Sequence, residues 1–136
     1  MEIRAAVENR GREHSVRVST DGRASSLAIP AKAEGSGSAV NGGELLCLAV
    51  ATCFCNDLYR EAGLRGITLH NVEVEVAAEF GGPGEPARRI TCAARVDGDA
   101  PRAELDALIR HTDGVAEVHN TLRAAVPVEM VAARDG

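Results

Sequence analysis

Cysteine is the residue type in this chain with the most chemistry to offer. Four occur, Cys47, Cys53, Cys55 and Cys92, and a thiolate among them would be a nucleophile, an oxidisable centre or a metal ligand. Their spacing narrows the choice. No pair has the C-x-x-C spacing of thioredoxin-like redox sites or zinc ribbons, and His14, His70, His111 and His119 are scattered singly. No metal or cofactor is therefore expected. The N-terminus lacks the charged-then-apolar pattern of an export signal, so the expectation is reduced thiols in a cytoplasmic protein rather than a disulfide framework.

Three of the thiols fall within residues 44–62, a stretch without period-2 alternation, longer than an ordinary strand, and followed by Gly63 where a C-cap belongs. The reading is a helix. Residues 45–55 are apolar or small on every face, and the polar Asn56, Asp57, Arg60 and Glu61 enter only in the last two turns. A helix of that kind is enclosed over its first half, either in the middle of the molecule or under a second subunit, which predicts a homodimer.

On such a helix Cys53 and Cys55 point about 200° apart, so the C-x-C pair cannot close a disulfide without unwinding. Cys47 is about 120° round and about 9 Å along the axis from Cys53, beyond the roughly 7 Å that a disulfide allows between Cα atoms. A partner thiol must be Cys92, a small thiol or another monomer. Cys53 also sits too deep in the helix for the macrodipole to stabilise its thiolate, so a cation is needed. Asp57, four residues on, opposes ionisation if close, whereas Arg60 lies within about 20° of the same face, two turns away. Arg12, in the turn Arg10-Gly11-Arg12, is a further candidate that only tertiary or intersubunit packing would bring to Cys53.

Short strands precede the helix. Residues 3–8 and 14–19 flank the turn-rich Asn9-Arg10-Gly11-Arg12, and Thr20-Asp21-Gly22 is a hairpin signal leading to a third run over residues 23–29. A Gly/Ser/Asn-rich loop after Pro30 then delivers the chain to the cysteine helix. Beyond it, Val72-Glu73-Val74-Glu75-Val76 alternates strictly within a strand over residues 68–79, and residues 88–96 return with Ile90, Cys92, Ala94 and Val96 on one side. Asp99 is expected to cap a second helix that ends near Asp113-Gly114, followed by an irregular piece over residues 115–120 and a last edge strand over residues 123–131 carrying Pro127. The order β-β-β-α-β-β-α-β predicts one α+β domain, residues 1–136, with antiparallel sheet.

Composition removes other classes of function. The longest apolar run is about half the roughly 20 residues of a bilayer span, so no membrane role is expected. Lys and Arg number 15 against 20 Asp and Glu, a net charge of −5 without any basic cluster, which argues against nucleic acid. Phe54, Tyr59 and Phe80 are the only aromatic residues, too few for a base-stacking platform.

The run Asn41-Gly42-Gly43-Glu44-Leu45-Leu46-Cys47-Leu48-Ala49-Val50-Ala51-Thr52-Cys53-Phe54, with the valine-glutamate strand after it, resembles the OsmC family of osmotically inducible and organic-hydroperoxide-resistance proteins over nearly the whole chain. The resemblance implies antiparallel sheets around a buried central helix, an intertwined homodimer with active sites at the subunit interface, and thiol-dependent reduction of organic hydroperoxides. It places the peroxide-attacking cysteine at Cys53, and a hydroperoxide and an external thiol reductant as small-molecule partners. Two family positions differ here: the resolving cysteine falls on Ala116, and the glutamate that holds the catalytic arginine falls on Gly43, with Glu44 one position late. Glu44 could substitute only in a helix that begins after it, because otherwise it lies about 180° from Cys53. The segment Cys55-Asn56-Asp57-Leu58-Tyr59-Arg60-Glu61 resembles an OsmC-like subgroup with C-x-C. The candidate site is therefore Cys53, Cys55, Glu44 and Arg12, with thiol peroxidase as the possible enzyme. The alternative is a non-catalytic protein of the same fold that binds a small apolar or thiol-reactive ligand.

Overall fold

A computed structural model describes residues 1–133 of the chain. The chain divides into two compact units, Met1–Leu45 and Leu46–Gly136. In the first, strands β1 (Ile3–Arg10), β2 (Glu13–Thr20) and β3 (Arg23–Ser25) form an antiparallel sheet in that order. Both hairpins follow from their turn residues. Gly11 (φ 59°) opens the tight turn between Arg10 and Glu13, and Asp21 (φ 48°) with Gly22 (φ 77°) supplies the two positive φ values that a type I′ turn demands. β3 stops at Ser25, short of the expected 29.

Helix α1 (Gly42–Leu64) starts in the first unit and runs into the second. Asn41 is its N-terminal partner: the Asn41 side-chain oxygen accepts from the Glu44 amide at 2.8 Å, and the Glu44 carboxylate accepts from the Asn41 side-chain amide at 2.7 Å. That reciprocal cap satisfies donors that a helix start leaves open.

In the second unit, β4 (Leu69–Phe80) and β5 (Ala87–Gly98) form a long antiparallel hairpin, with Val72 opposite Val96, Val74 opposite Ala94 and Val76 opposite Cys92. These six residues face the core side, as the alternation requires. Glycine is needed at 98, where a Cβ would lie 2.6 Å from the Thr68 carbonyl oxygen. Helices α2 (Arg102–Val115) and α3 (Glu117–Arg123) complete the unit. Its core joins Phe54, Leu58 and Ala62, one stripe of α1 at four-residue spacing, to Val96, Leu105, Leu108 and Ala116.

Three expectations are corrected. Pro101, not Asp99, is the N-cap of α2, and the Asp99 carboxylate instead accepts from His70 Nε2 at 2.6 Å. Residues 117–123 are helical, where an irregular piece was expected over residues 115–120 and a strand from residue 123. Seven residues make only two turns, too short to show a period; the helix is defined by the extended backbone of Ala116 (ψ 119°) before it and by His119 buried against Phe54, with 5.0 Å between ring centroids. No last strand forms among the described residues. The alternating Val126, Val128 and Met130 look strand-like, but they stand exposed without a partner, Val128 and Met130 at 95%, and alternation makes a strand only where another strand accepts its hydrogen bonds.

Burial along α1 is also uneven. Its buried residues are Val50, Phe54, Asp57, Leu58, Glu61 and Ala62, whereas Leu48 in the apolar half is 57% exposed. Within one chain the apolar half is thus only partly covered. No helix of the described residues is long and apolar enough to cross a membrane.

Candidate active site around Cys53

Beside the apolar stripe, α1 carries a second, polar one: Cys53, Asp57, Arg60 and Glu61. Helical spacing sets these on one face, and the corner between α2 and α3 brings Glu117 to it. The Cys53 thiol donates to Asp57 Oδ2 at 3.4 Å and lies 3.8 Å from Glu117 Oε2. Arg60 binds the outer oxygens of the same carboxylates, at 3.1 Å from Asp57 Oδ1 and 2.6 Å from Glu117 Oε1, and its Nε reaches Glu61 at 2.9 Å. His111 Nε2 donates to Glu61 Oε1 at 2.6 Å and closes the row.

The electrostatics follow from that geometry. Burial pushes the Cys53 thiol above its ordinary pKa, and Asp57 and Glu117 push it further against the opposing Val118 amide. Asp57 is raised as well, chiefly by its burial and next by the neighbouring Glu117 carboxylate. Glu117 is held at about 2 by its side-chain interaction with Asp57 and then with Arg60. Glu61 is lowered by its bonds from Arg60 and then His111. The guanidinium near Cys53 is therefore spent on three carboxylates, and the resting thiol is protonated.

Cys53, Asp57 and Glu117 offer one sulfur and two oxygen atoms within 4.8 Å of one another, the one group of this kind among the described residues. A cation held there would compete with Arg60, which already balances both carboxylates.

The sequence candidates are distributed unequally. Cys55 lies on the same intact helix, two residues from Cys53, and lines a shallow depression with Thr52, Asn56 and Val74. The structure thus supplies no break that would bring the two thiols together. Glu44 belongs to the N-cap: α1 begins at Gly42, before it, so the condition for sharing the face of Cys53 is not met. Arg12 sits in the β1–β2 turn of the first unit, beside a surface cavity lined with Glu8, Glu13 and His14. The cation that the structure sets near Cys53 is Arg60. Sequence reading passed over Glu117 and His111, because both arrive through tertiary packing from outside α1. Ala116, adjacent to Glu117, is fully buried in the core. All four cysteines are partly buried and free, so burial alone does not separate Cys53 from Cys47.

The long cysteine-bearing helix and the antiparallel sheets make a mixed α+β architecture. The chain belongs to the OsmC-like protein family, whose model matches residues 35–131. Its fold is shared by an OsmC-like protein of Mycoplasma pneumoniae (19% identity over 90% of this chain and 86% of that one, TM-score 0.63). It is shared too by an organic hydroperoxide resistance protein OsmC of Legionella pneumophila (22% identity, 90% of each chain, TM-score 0.61). The organic hydroperoxide resistance protein OhrB of Bacillus subtilis is a third such structure (18% identity, 90% of this chain and 91% of that one, TM-score 0.53). No curated protein sequence is significantly similar to this chain.

Proposed function

We propose that this protein reduces organic hydroperoxides with Cys53 as the peroxide-reacting thiol and Asp57 as its proton partner. The observation that carries the reading is the 3.4 Å hydrogen bond from the Cys53 thiol to a buried carboxylate whose own proton affinity is raised. In the reaction the thiol proton passes to Asp57 and sulfur attacks the distal peroxide oxygen. The S–O bond forms as the O–O bond breaks, and the departing alkoxide takes the proton from Asp57. Sulfur is oxidised by two electrons to sulfenic acid, and one alcohol is released. An external thiol then condenses with the sulfenic acid, releasing water, and a second thiol frees Cys53 from the mixed disulfide.

Because Ala116 carries no thiol, Cys55 diverges on an intact helix and Cys92 lines a cavity that Cys53 does not, the sulfenic acid is expected to persist when no reductant is present, and a rapid intramolecular disulfide to Cys92 would overturn that expectation. One equivalent of cumene hydroperoxide should yield a dimedone adduct on Cys53, absent from Cys53→Ser, with a rate that is level near neutral pH and falls as pH rises through a midpoint above the ordinary cysteine value of about 8.5, where the proton that Asp57 delivers is lost. Unchanged peroxide consumption by Cys53→Ser would overturn the reading. The raised thiol pKa also favours the second reading, a non-catalytic binding protein, and a Cys53 inert to peroxide from pH 6 to pH 10 would select it.

The same proposal includes a homodimer, supported by the exposed Leu48 on the apolar half of α1 and by the unpaired Val128 and Met130. Sedimentation equilibrium should show a dimer at micromolar concentration, and a folded monomer there would refute it.

A further inference from the structure

A cavity of about 330 Å³ opens between α1, β5 and the α2–α3 corner, and Cys53 is not among the residues that line it. Its size falls at the lower end of the range for small-ligand sites. Val50, Ile90 and Leu122 give it an apolar wall, and Arg88 and Arg123 line it against the single acidic residue Asp113. In a chain of net charge −5 that local excess of positive charge runs against the whole. Asp113 offsets only Arg123, at 2.7 Å, and Arg88 has a loose contact of 3.5 Å with Glu85.

His119 closes the inner wall, only 8% exposed, and burial and then Arg123 hold its pKa down, so the ring adds no positive charge there at pH 7.

We infer that this cavity binds a small organic carboxylate, with its apolar body against Val50, Ile90 and Leu122 and its anionic head toward the arginines. The site is separate from peroxide chemistry and stands whether or not Cys53 reacts. Arginine suits the head group because its planar fork matches a carboxylate in two hydrogen bonds. Cys92, which lines the same cavity, serves as an internal reporter of occupancy.

The test uses octanoate as probe and octylamine as the control of equal apolar size. Calorimetry is expected to detect octanoate and not octylamine, with affinity falling as salt rises. Octanoate should protect Cys92 from alkylation, mapped by mass spectrometry, and leave Cys53 unprotected. Arg88→Gln should weaken octanoate about tenfold, and Arg123→Gln provides a second variant should the first misfold. Equal binding of octanoate and octylamine, protection of Cys53 in place of Cys92, or no binding at millimolar octanoate would each overturn the inference.

Discussion

Replacing Asp57 by asparagine is expected to move two reactions of Cys53 in different directions. Alkylation by iodoacetamide needs only the thiolate, and the Asp57 carboxylate is one of the groups that oppose it. Asparagine keeps the shape and removes the charge. Burial, the larger cause of the raised thiol pKa, is unchanged, so the fall is partial, and alkylation at neutral pH is expected to be about tenfold faster. Peroxide reduction asks for more, because the departing alkoxide must be protonated and asparagine cannot supply that proton. Loss of a positioned general acid costs about a hundredfold, which outweighs the gain in thiolate and leaves cumene hydroperoxide reduction about tenfold slower than in the unaltered protein. Faster alkylation with equally faster peroxide reduction would remove Asp57 from the proposed mechanism while keeping its electrostatic role. Slower alkylation would contradict the electrostatics of the site itself.

Leu58→Ala should be the most damaging single truncation in α1. The side chain is fully buried and packs in the cluster of Phe54, Val96, Leu105 and Leu108. Removing its three outer carbons loses their transfer free energy and leaves a cavity in a core with few aromatic residues to collapse into it, a cost of about 3 kcal/mol. Leu48→Ala, by contrast, alters a side chain that is 57% exposed within one chain. Its cost to the folding of a single chain should be under about 0.5 kcal/mol. Urea titration separates the two, provided protein concentration is varied. A concentration-dependent loss at Leu48→Ala would show that a second subunit covers this face, and a loss at Leu58→Ala below about 1 kcal/mol would contradict the packing described.

The same two leucines show where sequence ceases to speak. Both belong to a stretch whose composition predicted helix, and the helix forms from Gly42 to Leu64. Composition does not say which apolar face meets the rest of the chain, because burial belongs to the partner surface as much as to the residue. The strict valine alternation of β4 and the turn chemistry of Asp21-Gly22 were legible for the opposite reason: the turn obeys φ alone, and β4 finds its partner strand β5 across a short loop, so neither waits on a distant partner. The C-terminal alternation failed as a strand because its rule does need one.

By itself, then, the sequence determined the α+β class, the cysteine helix, the β4–β5 hairpin, and the placing of Cys53, Asp57 and Arg60 on one face, since helical periodicity alone aligns residues four and seven apart. Tertiary structure decided what that face meets. Glu117, on a two-turn helix too short to announce itself, and His111, one of four scattered histidines, reach the row only because α2 and α3 pack beside α1. Those contacts reverse the electrostatic expectation: an arginine two turns from a thiol suggests an activated cysteine, but three carboxylates claim its charge first. The outcome rests on distance, because a charge acts through the space around it and the sequence records only the order along the chain.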